Sequence, residues 1–182
     1  MSKQQNGQNL DPIIAEKVEQ AIGLLRESNL DIWLLFAQET GYEKDPVYPL
    51  LFGDRDLGAG FLLLTANGRK IAIVSGLDQM IPSSTGVWNE VVVYEKNPYD
   101  TLLQVLTDIN PNRIGINYSE NNPSADGISY GQYLRLVKAL EDTPFVDRLL
   151  SAERLAAALR SMKTPAEIEA VRSGHPESQC GV

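Results

Sequence analysis

Phe61-Leu62-Leu63-Leu64-Thr65-Ala66-Asn67-Gly68-Arg69-Lys70-Ile71-Ala72-Ile73-Val74 is the stretch that decides the fold. Two apolar runs flank Asn67-Gly68, and both residues of that pair tolerate positive φ, so the runs read as strands of one hairpin. Upstream, Ile32 to Phe36 is a compact apolar run and reads as a buried strand. Asp11-Pro12 opens a helix before it, with Asp as N-cap, Pro in the first turn, and Ile14, Val18, Ile22 and Leu25 at helical spacing. Downstream, Glu90 to Tyr94 reads as another buried strand, Arg113 to Asn117 as a short one and Phe145 to Asp147 as a last short one. Asn97-Pro98 repeats the cap-plus-proline start of a helix carrying Leu102, Leu106 and Ile109. A further helix carries Tyr133, Leu134, Val137 and Leu140. One hairpin among strands otherwise linked through helices predicts an α/β, three-layer domain: a mixed, mostly buried sheet flanked by helices, with a helical C-terminal tail.

Four segments follow from this reading: a disordered N-terminal tail (1–10), the α/β domain (11–150), a pair of linker helices (151–172) and an atypical tail (173–182). Residues 38–58, with Gly41, Pro46, Pro49, Gly53 and Gly58, read as a long surface loop. Met80 to Thr85 reads as a second irregular stretch. In the linker, Leu155 and Leu159 share one helix face. Thr164-Pro165-Ala166-Glu167 has the form of a capping box.

Composition narrows the function. The 182 residues are 43% hydrophobic and 22% charged, enough for one core without a metal or disulfide staple. Sixteen Lys and Arg against 24 Asp and Glu leave a net charge of −8, which speaks against nucleic acid as a partner. The longest apolar run, Ile32 to Ala37, is too short to span a bilayer, and the polar stretch Met1 to Asn9 is no signal peptide. One cysteine, Cys180, suits a reducing compartment; the expected location is the cytoplasm, with no membrane partner. One histidine, His175, leaves a histidine triad or a multi-histidine metal site without material.

Several patterns are weighed and set aside. Gly53-Asp54-Arg55-Asp56-Leu57-Gly58-Ala59-Gly60 is not a phosphate loop, because neither Lys-Ser nor Lys-Thr follows and a strand, not a helix, comes next. His175 and Cys180 are two ligands where a metal site uses three or four. Glu16, Glu19 and Glu27 read as a solvated helix face. Tyr130 and Tyr133, with Leu134, read as packing their helix onto the sheet.

Arg160-Ser161-Met162-Lys163-Thr164-Pro165-Ala166-Glu167-Ile168-Glu169-Ala170-Val171-Arg172 resembles the R-x-x-K-[ST]-x-x-E-[IL] junction string of the creatinase/prolidase/Xaa-Pro aminopeptidase family, peptidase family M24. Asn29-Leu30-Asp31 ahead of Ile32 to Phe36, Ala66-Asn67-Gly68 ahead of Lys70 to Val74, and Arg113-Ile114-Gly115-Ile116 are similar to pieces of that family's N-terminal domain, in the same order. The resemblance covers residues 11–172. Two departures stand against it. Tyr48-Pro49-Leu50-Leu51-Phe52-Gly53 replaces the family's Tyr-Leu-[ST]-Gly-Phe segment. After Arg172 the chain runs Ser173 to Val182, where Gly174 and Pro176 stop a helix that the family continues into a catalytic domain.

The resemblance implies a non-catalytic N-terminal domain serving oligomerisation and active-site access, with a missing or separate M24 catalytic domain and a homo-oligomer as partners. The two divalent metal ions of a complete member, such as Mn or Co, would lie in that catalytic domain, and none is expected in this chain. It also implies a contribution to the substrate entrance, for which Arg55, with Tyr48 and Trp88 as aromatic walls, is the candidate, since a guanidinium forks onto a peptide carboxylate. The alternative is a free-standing binding or regulatory module derived from that domain. A small-molecule enzyme on the same sheet ranks last, lacking a dinucleotide fingerprint and a nucleophile–base pair.

Overall fold

The structure, a computed structural model, describes residues 10–38 and 45–174. The chain opens with α1 (Pro12–Glu27), whose N-cap Asp11 accepts from the Ile13 and Ile14 amides. It continues through β1 (Ile32–Ala37), the short α2 (Tyr48–Phe52), β2 (Gly60–Thr65), β3 (Lys70–Ser75), the short α3 (Met80–Ser84) and β4 (Glu90–Tyr94). Then come α4 (Pro98–Ile109), β5 (Ile114–Ile116), α5 (Tyr130–Leu140), β6 (Leu149–Ser151), α6 (Glu153–Ser161) and α7 (Pro165–Gly174).

The six strands form one mixed sheet in the order β4-β3-β2-β1-β5-β6. β1–β2 and β2–β3 are antiparallel, the second pair being the Asn67-Gly68 hairpin; β1–β5, β3–β4 and β5–β6 are parallel. β1 and β2 are buried at every position, because helices cover both faces and the side chains alternate between them. Trp33, Leu35, Leu62, Leu64, Ala72 and Val74 face a core built with α1, α2 and α6. Ile32, Leu34, Phe36, Phe61, Leu63, Ile71 and Ile73 face a second core under α4 and α5. Each large buried side chain contributes about 1.5–3 kcal/mol. At Gly60 an added Cβ would lie 2.3 Å from the Ile73 carbonyl oxygen, so the hairpin closes only on glycine there.

The three-layer α/β architecture is as expected; five local readings change. The stretch 38–58 contains α2, with Tyr48, Leu51, Phe52 and Leu57 buried. Positions 48, 51 and 52 have helical spacing, which the surrounding prolines and glycines hide. Residues 80–84 form α3 rather than an irregular stretch. β4 is half-buried, not buried, since it lies at the sheet edge with only β3 beside it. The last strand is Leu149–Ser151, preceded by a 3-10 turn over Val146–Arg148. Finally, α5 packs through Leu136 and Leu140, leaving Tyr130, Tyr133 and Leu134 exposed. Both sets of positions have helical spacing, and only the neighbours decide which turns inward.

The two linker helices differ in exposure. α6 buries Leu155, Ala156 and Leu159 against α1, whereas α7 beyond Glu167 is exposed at every described side chain. No helix among the described residues is long and apolar enough to cross a membrane.

Candidate functional site

β1 and β5 are parallel neighbours, but the chain leaves them toward opposite faces. From β1 it runs to α2 on the Trp33 face, and from β5 to α5 on the Ile32 face. Such a switch point opens a crevice beyond the carboxyl ends of the two strands, where α/β sheets commonly bind ligands. Among the described residues a cleft of about 910 Å3 lies there, bordered by Gln38, Asp45, Tyr48, Asp126, Tyr130 and Arg135. Gln132 Nε2 donates to Gln38 Oε1 at 3.1 Å across its rim.

Under the cleft runs a buried polar chain. The Trp33 indole N–H donates to Asn117 Oδ1 at 2.7 Å, and Asn117 Nδ2 donates to both carboxylate oxygens of Asp45 at 3.0 and 2.8 Å. The Val47 amide donates to the same carboxylate at 3.0 Å. Gly127 is the lid on Asp45: an added Cβ would lie 2.3 Å from its Oδ2. Burial pushes the Asp45 carboxyl up to about 6 even though Val47, Asn117 and the Arg160 guanidinium pull it down; Asp126 pushes it further up. Arg160 reaches the same turn, its guanidinium donating to the Pro46 carbonyl at 2.8 Å.

The residues expected at a substrate entrance are distributed unevenly. Tyr48 begins α2, borders the cleft and donates its hydroxyl to the Arg55 carbonyl at 3.2 Å. Burial, then Asp56 and Asp78, hold that hydroxyl well above the usual tyrosine range, so it stays a donor. Arg55 is half-buried and donates to the Phe52 carbonyl at 3.5 Å, at the end of α2. Trp88 is fully buried behind Phe52, their ring centroids 6.1 Å apart, and its indole N–H donates to the Leu51 carbonyl at 2.9 Å. Its ring offers no wall to the outside; Tyr48 borders the cleft but is itself largely buried, and Arg55 is not among the residues lining the cleft. Asp56 borders the cleft and Asp54 is exposed. Gly53, at φ +74°, ends α2, in keeping with turn chemistry rather than a phosphate cradle. His175 and Cys180 lie outside the described residues.

A second charged cluster joins α6, α7 and α1. Lys17 is fully buried, with its Nζ 2.8 Å from the Leu159 carbonyl, 2.6 Å from the Met162 carbonyl, 3.1 Å from Gln20 Oε1 and 2.9 Å from Glu167 Oε2. Glu16 accepts from the Ala166 amide at 2.8 Å, so it is more than a solvated face residue. The expected capping box is present: the Thr164 amide donates to Glu167 Oε2 at 2.8 Å and the Glu167 amide to Thr164 Oγ1 at 3.3 Å. Burial raises the Glu167 carboxyl, but the Thr164 amide and the Lys17 ammonium outweigh it and hold it below the usual range.

The residue reading missed Lys17, Asp45 and Asn117. Lys17 had a signal, because it falls on the apolar stripe of α1 between Ile14 and Val18. Asp45 and Asn117 had none, being 72 positions apart. Among the described residues no three of His, Cys, Asp and Glu gather as metal ligands.

No family model and no curated protein matches the sequence. Solved structures do match. The chain is similar to an Xaa-Pro dipeptidase from Bacillus anthracis, at 18% identity and a TM-score of 0.62, over 88% of this chain and 39% of that one. It is also similar to the N-terminal domain of the cytoplasmic peptidase PepQ from Mycobacterium tuberculosis H37Rv, at 18% identity and a TM-score of 0.55, over 79% of this chain and 98% of that one. The fold is that of Xaa-Pro peptidase N-terminal domains. An X-Pro aminopeptidase from Thermotoga maritima MSB8 shares it at 17% identity and a TM-score of 0.60, over 84% of this chain and 38% of that one. The chain thus spans 39% and 38% of the two longer peptidase chains, and this N-terminal-domain fold holds both the cleft and the Lys17 cluster.

Proposed function

We propose that this chain is the non-catalytic N-terminal domain of an M24-type metallopeptidase of the Xaa-Pro aminopeptidase or prolidase kind, working in the cytoplasm in oligomerisation and active-site access. The observation that carries the reading is the match over 98% of the PepQ N-terminal domain but only 39% of the Bacillus anthracis dipeptidase. Peptide-bond chemistry and its two divalent metals then belong to a catalytic domain. Tyr48 and Arg55 stand at the substrate entrance of the assembled enzyme, Arg55 engaging a peptide carboxylate.

The test is a three-part comparison. The purified chain with Mn2+ or Co2+ hydrolyses no Xaa-Pro dipeptide, and light scattering gives twice the monomer mass. In a complete enzyme carrying this domain, Arg55→Ala raises KM several-fold with kcat unchanged. Hydrolysis by the chain alone, or unchanged kinetics in the variant, overturns the corresponding part.

The cleft favours a second reading, a free-standing binding module. Detecting the native product with an antibody in its source cells separates the two. A band at the size of this chain supports the module, and one about twice as large or more supports the domain.

A further inference from the structure

The cluster around Lys17 has an asymmetry that only its geometry reveals. An ammonium has three donor protons. The Leu159 and Met162 carbonyls and Gln20 Oε1 are three acceptors outside α7. Two of them are carbonyls at the C-terminal end of α6, where a cation is favoured by the helix dipole. Glu167 is therefore a fourth partner, the one on α7, and its departure strands none of the protons of Lys17.

α7 has little else to hold it. Its N-cap Thr164 is buried, Pro165 is exposed, Ala166 and Glu167 are half-buried, and Ile168 to Ser173 are all exposed. Its ion pair and hydrogen bond to α1 sit in its first turn: Glu167 on Lys17, and the Ala166 amide on Glu16. α6 differs sharply, burying Leu155, Ala156 and Leu159 in the core.

We propose that Lys17 is a fixed buried post that caps α6 permanently and clips α7 reversibly, making residues 164–174 a unit that detaches while the rest of the fold stays closed. This goes beyond the assignment as an N-terminal domain and does not depend on it. The physical basis is local stability: segments with few buried apolar contacts open at lower free energy than the core around them. The clip lets α7 leave without exposing apolar core, and Lys17 keeps three acceptors for its three protons while giving up its carboxylate partner. Its exposed Ile168 and Val171, 43% and 65% accessible, move with it.

Hydrogen exchange on the full chain, followed by mass spectrometry, tests this. Glu167→Gln keeps an oxygen for the Thr164 amide and removes the charge facing Lys17, together with the exposed, weaker pair to Lys163 at 3.7 Å. Losing a charge-assisted contact speeds exchange of the amides of residues 168–173 about tenfold or more, while α1, α6 and β1 exchange as before. Glu16→Gln speeds the same amides by a smaller factor. Unchanged α7 exchange in both variants overturns the proposal. So does an equal acceleration in α1 and α6, which would make the cluster part of the common core.

Discussion

Lys17 and Asp45 are two buried charged side chains in one small fold, treated in opposite ways. Lys17 meets an oppositely charged carboxylate, two carbonyls at a helix end and an amide oxygen. Asp45 meets only neutral donors, Asn117 and Val47, with Arg160 near and Asp126 opposing it. The first site closes its charge balance locally, whereas the second leaves a carboxyl that titrates at about 6. Hydrogen bonds satisfy geometry at both sites, but at Lys17 a carboxylate in contact also offsets part of the desolvation that Asp45 bears without a contacting opposite charge.

Removing the better-compensated charge produces the largest expected effect. Lys17→Ala leaves Glu167 and two carbonyls facing an empty buried space and destabilises the fold by about 3–5 kcal/mol in urea titrations. A loss below about 1 kcal/mol would show that the cluster is effectively solvated.

The Asp45 side breaks by pH. A carboxyl raised from 3.8 to about 6 binds its proton more tightly in the folded state, so its ionisation costs stability. The Asp45 contribution is most favourable below about pH 4 and is lost as pH rises through 6, a change of about 3 kcal/mol. Asp45→Asn flattens that part of the stability profile and makes the variant the more stable form at pH 7. A wild-type profile rising between pH 4 and 6, with Asp45→Asn tracking it, would refute the assignment.

Asn117→Ala sharpens the comparison at the neutral partner. It orphans the Trp33 indole N–H and strips Asp45 of its amide donor, costing about 1–3 kcal/mol and moving the titration upward. An exposed control closes the series: Arg69 pairs with Glu90 and Asp108 at about one-third exposure, and Arg69→Ala costs less than about 1 kcal/mol in the same titration.

The sequence showed the elements that rest on local rules. Asp11-Pro12 and Asn97-Pro98 start helices because cap and proline act within one turn, and Asn67-Gly68 closes its hairpin because two residues set the backbone. Thr164 and Glu167 cap α7 for the same reason. The hidden features have no such local code. α2 was obscured by the prolines and glycines around Tyr48, Leu51 and Phe52. The inward face of α5 was misassigned because two apolar stripes share one helix. Of the residues expected at an entrance, Tyr48 borders the cleft, while Trp88 is buried; an indole in a turn looks the same inside or out.

The sequence by itself therefore determined the α/β class, the starts of the helices and the turn of the hairpin, since each depends on residues a few positions apart. Only the tertiary structure decided that Lys17 meets Glu167, that Asp45 meets Asn117, and that β4 is an edge. Those facts join residues 150, 72 and some 20 positions apart. At such separations it is the packing of the sheet and its helices, not chain proximity, that selects the partner.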